Sequence, residues 1–359
     1  MATKPNLMAR LLKNSTAKYT AILSESVMFN NKDIIPTDIP IFNIAFSGMI
    51  DGGIASGLTL LAGPSKSFKS LSALVCVKAY LDKYPEAICI LYDSEGGMTP
   101  DMLRGQGVDP ARVLHVPIDH LEMLKFDLVK QLAEIERGDK VIFVIDSIGN
   151  TASLKELTDA LDEKSVAEMQ RAKTIKALFR MVTPSLVNKD VPCITICHTY
   201  STMEMFSKQI ISGGSGLIYS ANQAFIIGKA QEKDGTDLTG WNFTLNVEKS
   251  RFVREKSKLK FQVLYGSGIQ KYSGMLDMAI ELGVVNSPSS GWYCKVDGDG
   301  VIEDKRYRKK DIINSSEFWD PIITSERFKT LVQRRYMLTA PDPILDNDID
   351  LAMEELGDE

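Results

Sequence analysis

Few stretches restrict a chain as strongly as Gly63-Pro-Ser-Lys-Ser-Phe-Lys69-Ser70. An apolar run, Leu58-Thr-Leu-Leu-Ala62, leads into it, and a helix-like run from Leu71 to Leu81 follows, with apolar Leu71, Leu74, Val75, Val77 and Leu81. Strand, glycine turn and helix in that order make a cradle for nucleotide phosphates. Backbone N–H groups and the helix N-terminus face the anion, Lys69 reaches the terminal phosphates, and Ser70 places its hydroxyl on magnesium. The usual pattern has glycine directly before the lysine, where this chain has Phe68. The bare octapeptide would also suit a Ser/Lys-rich surface turn, and the flanking strand and helix favour the cradle. Gly63, Pro64, Ser65, Lys66, Ser67, Phe68, Lys69 and Ser70 are the candidate nucleotide ligands.

Two later segments repeat one geometry. Ala87-Ile-Cys-Ile-Leu-Tyr-Asp93 reads as a buried strand that delivers Glu95 to its carboxyl end, where open parallel sheets bind ligands. Val141-Ile-Phe-Val-Ile-Asp146-Ser147 reads as another, and an aspartate at that place in a phosphate-loop protein holds magnesium. Taken alone, Glu95 reads as a surface-loop carboxylate, the commoner fate of a glutamate. A third buried strand, Val191 to Cys197, ends in His198, whose default reading is a satisfied strand-end histidine. Strands at Ala224 to Ile227, Phe243 to Val247 and Leu259 to Tyr265 complete a parallel sheet with trailing hairpins.

At 359 residues the chain accommodates one large α/β core and a smaller unit. No apolar run approaches the ~20 residues of a membrane span, so a transmembrane reading is rejected. Cys76, Cys89, Cys193, Cys197 and Cys294 are odd in number and lie in apolar contexts, which implies reduced, buried thiols and a reducing compartment such as a cytoplasm.

The net charge of −5 conceals an uneven distribution. Residues 1–24 carry Lys4, Arg10, Lys13 and Lys18, no carboxylate before Ser24, and apolar Leu7, Met8, Leu11 and Leu12 at helical spacing. Such a start fits an arm that packs on a neighbouring subunit, and also a mitochondrial presequence. Lys249, Arg251, Arg254, Lys256, Lys258 and Lys260 form one basic cluster and Lys305-Arg-Tyr-Arg-Lys-Lys310 a second; either alone reads as solvated surface, and such clusters are the footprint expected of a polyanion binder. Thr199 to Gly216 is a long Met- and Gly-rich connection, of the kind that is functional or disordered. Pro341 to Glu359 carries eight carboxylates and no Lys or Arg, the composition of an acidic, disordered tail that competes for basic surface.

The cradle, Tyr-Asp-Ser-Glu95, Val-Ile-Asp146-Ser147, the strand to His198, the glycine-rich loop, Phe261-Gln-Val-Leu-Tyr-Gly266 and Gly291-Trp-Tyr293 together resemble RecA-family recombinases. The phenylalanine variant of the cradle, His198 and Asn246-Val-Glu-Lys-Ser-Arg251 resemble the branch found in T-even bacteriophages, where phenylalanine before the lysine belongs to the pattern. The resemblance implies an α/β RecA-like phosphate-loop ATPase core with a twisted, mostly parallel sheet, an N-terminal helical polymerisation arm and a small α+β C-terminal domain. The expected boundaries are 1–35, 36–272, 273–340 and an acidic tail, 341–359. It implies ATP and Mg2+ as cofactors, with magnesium on Ser70 and Asp146. Glu95 would orient and deprotonate the attacking water, Lys69 would neutralise charge on the transferring phosphoryl group, and His198 would sense the γ-phosphate. Lys249 and Arg251 would reach the ATP of the next subunit.

The same resemblance places DNA on two loops. The first lies near Leu154 to Ser165, with Lys155, Lys164 and, on the following helix, Arg171. The second carries Met203, Met205, Lys208, Ser212, Gly213 and Gly214. Phosphate contacts of this kind bind any sequence and weaken steeply with salt. The implied activity is a DNA-dependent ATPase that forms helical filaments on single-stranded DNA and exchanges strands with a homologous duplex. Recombination mediator and single-strand-binding proteins are the implied partners, no membrane is involved, and the setting is a phage-infected bacterial cell. A hexameric helicase of the same fold is the alternative; a filamentous coat that uses ATP only as a switch is another.

Overall fold

The apolar runs become the inner strands of one ten-stranded sheet. The computed structural model describes residues 6–30, 34–162, 169–201, 209–234, 237–266 and 268–339. In chain order the strands of this sheet are β1 (Gly57–Gly63), β2 (Ile88–Asp93), β3 (Val113–Pro117), β4 (Val141–Asp146), β5 (Pro192–Ser201), β6 (Gln209–Ile211), β7 (Gln223–Asp234), β8 (Asp237–Ser250), β9 (Lys258–Leu264) and β10 (Gly268–Ile269). Their spatial order is β10-β9-β8-β7-β1-β5-β4-β2-β3, with β6 beside β5. From β3 to β7 the neighbours run parallel. From β7 to β10 they run antiparallel, as the trailing hairpins required.

The sequence patterns follow from coverage. β1 and β4 are buried along their whole length, with side chains from both faces in two separate cores, and such strands read as unbroken apolar runs. In β9, by contrast, buried Leu259, Phe261 and Val263 alternate with exposed Lys258 and Lys260, because the outer wing is covered on one face. Part of the basic cluster at 249–260 is therefore the open face of that wing. All five cysteines are free and buried.

Towards the C-terminus a three-stranded sheet, β11 (Val285–Ser289), β12 (Trp292–Lys295) and β13 (Tyr307–Arg308), packs with helices Met275–Glu281, Ser316–Ile323 and Glu326–Tyr336. Its buried Phe318, Trp319 and Phe328 join the same core as Phe42 and Phe261, so apolar packing runs without a break from the large sheet into this unit. At the other end, helix Leu7–Asn14 is capped by Asn6, whose side chain accepts from the Ala9 N–H at 2.8 Å. None of its residues is buried, and Leu7, Met8 and Leu11 are all more than half exposed. Eight residues are too few for a helix to persist in water on propensity alone, and this one buries no apolar residue against the described part of the chain. No described helix is long and apolar enough to cross a membrane. The acidic tail lies outside the described residues.

Candidate active site

Parallel pairing aligns the carboxyl ends of four strands. Gly63 lies level with His198 across β1 and β5, and Asp93 level with Asp146 across β2 and β4. The cradle, Glu95, Asp146 and His198 consequently face one cleft of about 560 Å³.

The cradle needs left-handed backbone at two positions, Lys66 at φ 59° and Phe68 at φ 58°. That requirement explains why glycine usually precedes the lysine, since a Cβ there is strained. Phe68 offsets the strain by packing: its ring lies 5.1 Å from that of Phe243. Helix Lys69–Lys83 starts at the next residue and directs its N-terminus into the cleft.

Lys69 is buried, and its ammonium donates to the carbonyls of Gly63 and Pro64 at 3.1 and 2.9 Å. Burial lowers its pKa, against the opposing pull of Asp146 and Glu95. The Ser70 hydroxyl donates to Asp146 Oδ2 at 2.8 Å. Burial pushes the Asp146 carboxyl up to about 6, with Glu95 and Asp93 adding repulsion. A buried carboxylate that is held by one hydroxyl and disfavoured as an anion suits a cation, so Ser70 and Asp146 fit the magnesium role. Ser67 Oγ is fully buried without a hydrogen-bond partner, a further polar group in the cradle.

Glu95 is tied down. Its Oε1 accepts from Ser147 Oγ at 2.5 Å and Asn150 Nδ2 at 3.0 Å, and lies 2.9 Å from His198 Nε2. Burial alone would raise its pKa, but the bonds from Ser147 and His198, with Lys69 nearby, hold it below the ordinary range.

Several members of the site carried no readable signal in the sequence. Ser147 and Asn150 merely follow Asp146. Lys229, Trp241, Tyr265 and Met102 reach the cleft from separate elements. Trp241 Nε1 donates to Tyr265 OH at 2.8 Å, and the Lys229 ammonium lies 5.0 Å from the Trp241 ring, building an aromatic wall opposite the cradle.

Other expected residues sit elsewhere. Lys249 donates to the carbonyls of Ile218 and Tyr219 at 3.0 and 2.9 Å, and Arg251 is exposed just past β8; neither lines the cleft of its own chain. Lys155 lies on the exposed face of helix Leu154–Leu161, paired with Asp159 at 2.7 Å. Arg171 turns inward: Nε donates to Thr151 O at 3.0 Å, and Nη2 to Ile148 O at 2.9 Å and to Gly149 O. Its guanidinium is thus committed to main-chain carbonyls instead of being displayed for phosphate. The Ser212 N–H is donated to His198 O; Gly213 and Gly214, both at positive φ, follow it, half-buried and exposed respectively. Lys164, Met203, Met205 and Lys208 lie outside the described residues.

The chain is 53% identical over 342 residues to the recombination and repair protein of Enterobacteria phage T4, spanning 94% of this chain and 87% of that protein. It is 25% identical over 293 residues to RecA of Nocardia farcinica, spanning 80% and 81% of the two chains. RecA of a Mycobacterium species is 24% identical over 313 residues, 86% of each. Residues 272–332 match the family model for the C-terminal domain of the bacteriophage T4 recombination and repair protein. None of these relatives supports the helicase alternative. The chain belongs to the RecA-family recombinases, in the branch of the bacteriophage T4 recombination and repair protein.

Proposed function

We propose that the chain is a DNA-stimulated ATPase that polymerises on single-stranded DNA and uses ATP to pair it with a homologous duplex. The observation that carries this reading is the gathering of Lys69, Ser70, Asp146, Glu95 and His198 in one cleft at the carboxyl ends of parallel strands. With ATP bound, magnesium would supply positive charge on the phosphates, held by Ser70 and Asp146. Lys69 exchanges the carbonyls of Gly63 and Pro64 for phosphate oxygens, and so stabilises charge that builds during transfer. Glu95 orients the attacking water and takes its proton, once freed from His198. Trp241 and Tyr265 offer the face on which a base stacks.

The domain roles follow: an N-terminal arm (1–35) whose uncovered stripe docks on a neighbouring copy, the ATPase core (36–272), the C-terminal unit (273–340) and the acidic tail (341–359). The first and second loops hold DNA, with Lys155, Lys164, Arg171, Met203, Met205, Lys208, Ser212, Gly213 and Gly214 as contacts. Lys249 and Arg251 complete the site of the adjoining protomer. Mediator and single-strand-binding proteins are the partners that such a filament needs, inside an infected bacterial cell.

The test is phosphate release with and without single-stranded DNA, for the native chain and for Lys69→Ala. Stimulation of the native protein and loss of at least about a hundredfold in the variant are expected, since removing one oxyanion-type donor costs on that order. A rate indifferent to DNA would refute the reading.

A further inference from the structure

Three donors converge on one oxygen of Glu95, and one of them, Asn150, lies four residues before the segment, near Leu154 to Ser165, that the resemblance assigns to the first DNA loop. A carboxylate can only accept, so the His198 Nε2 at 2.9 Å must carry the proton. With that proton in place, the 3.2 Å approach of Asn150 Nδ2 to the same nitrogen is not a hydrogen bond. The Asn150 amide spends its donor on Glu95 Oε1, at 3.0 Å.

The backbone around Asn150 is gripped from the other side. Arg171 holds the carbonyls of Ile148 and Gly149, the two residues before it, and of Thr151, the residue after it. Thr151 Oγ1 also donates to Ser147 O at 2.7 Å, which ties the turn to the residue whose hydroxyl bonds Glu95. A short path of direct contacts therefore runs from Arg171 through residues 148–151 to Glu95.

We propose that Asn150 is a positioning residue that couples DNA to hydrolysis: its amide holds Glu95 against His198, away from the nucleotide, until DNA on the first loop moves residues 148–151. The inference rests on the proposed roles of Glu95 as base and of Arg171 as a DNA contact. Its driving force is competition for one guanidinium. A DNA phosphate offers Arg171 anionic oxygens that can accept two parallel N–H bonds from the guanidinium and neutralise its charge, which neutral carbonyls cannot do. When Arg171 turns to phosphate, the three carbonyls are released, the turn that carries Asn150 shifts, and Glu95 loses one of its restraints.

The experiment compares Asn150→Ala with the native full chain in phosphate release at saturating ATP, without DNA and with saturating single-stranded DNA. We expect the DNA-free kcat to rise by about tenfold or more, the scale of one hydrogen bond to a charged group. The DNA-saturated kcat, the KM for ATP and the affinity for DNA stay unchanged, so the stimulation ratio falls. Asn150→Asp, which sets a second carboxylate against Glu95, should shift the ratio the same way. An unchanged ratio, or equal losses with and without DNA, overturns the proposal. Glu95→Gln separates the layers: if it still hydrolyses ATP on DNA, the base assignment falls and this inference with it. If Glu95→Gln is inactive and the Asn150 ratio is unmoved, the inference alone falls.

Discussion

Restoring the usual glycine at position 68 should weaken this protein. Phe68 adopts φ 58° and ψ 30°, a left-handed conformation that costs a residue with a Cβ about 1 kcal/mol. Against that cost stands the ring. It is half-buried and 5.1 Å from Phe243, which stacks on Phe261 at 5.2 Å, which in turn meets Phe42 at 5.1 Å. Half of a phenylalanine's transfer free energy is about 1 kcal/mol. The aromatic pair adds about another 1 kcal/mol. Phe68→Ala loses both and keeps the backbone strain, a deficit of about 2 kcal/mol. Phe68→Gly loses both but relieves the strain, a deficit of about 1 kcal/mol. In thermal unfolding of the nucleotide-free protein these become falls of about 4 °C and about 2 °C, at about 2 °C per kcal/mol for a chain of this size. Two outcomes refute the reasoning. If Phe68→Gly melts at or above the native protein, the ring carries no stability. If Phe68→Gly melts with or below Phe68→Ala, the left-handed conformation costs nothing.

Asp146 supplies a pH signature. Its carboxyl is raised in the fold to about 6 from an ordinary 3.8, so the folded state binds more protons between those values and stability falls as pH rises through that window. Asp146→Asn removes the penalty: without magnesium its melting temperature should exceed the native value at pH 7.5, by an equivalent of at most about 3 kcal/mol, and the advantage should vanish near pH 4. A constant difference across that range contradicts the assignment. Lys249→Ala and Lys69→Ala should each be inactive alone on DNA, yet an equal mixture should regain about a quarter of native hydrolysis, because random head-to-tail assembly pairs an intact cradle with an intact Lys249 at about one interface in four. No recovery on mixing would place Lys249 in its own chain's site. Deleting Pro341 to Glu359 removes eight carboxylates and should strengthen duplex binding at moderate salt, measured by fluorescence anisotropy; equal affinities with and without the tail discard competition as its role.

What the sequence disclosed was set by how locally each feature is encoded. Inner strands buried on both faces must be apolar throughout, so β1, β2, β4 and β5 were legible, and so were Glu95, Asp146 and His198 at their carboxyl ends. β3 was not: an edge strand, it leaves both Leu114 and His115 exposed, without a periodicity that marks a strand. Trp241, Tyr265 and Lys229 reach the cleft only through the register of β7, β8 and β9, which no single segment specifies. Arg171 shows the opposite case. The family resemblance assigned it to DNA, but its present partners are three carbonyls some twenty residues away along the chain.

Lys249 extends that point from register to assembly. The resemblance assigned it to a neighbour's ATP, while in the chain by itself its ammonium caps Ile218 and Tyr219, the last turn of helix Ser215–Ser220. That helix begins at Gly214, the end of the second loop. The ammonium cannot satisfy those two carbonyls and a phosphate on another subunit at once. Any arrangement that uses Lys249 across an interface must therefore unburden the helix that closes the second loop. Glu95 is restrained by residues leading into the first loop and Lys249 by the helix leaving the second, so both halves of the composite site are held back by the elements proposed to meet DNA. Under the proposed roles of Glu95 and Lys249, a protomer built this way is a poor ATPase until DNA and a neighbour arrive together, which is the dependence that the mixing experiment and the Asn150 variants measure from opposite sides.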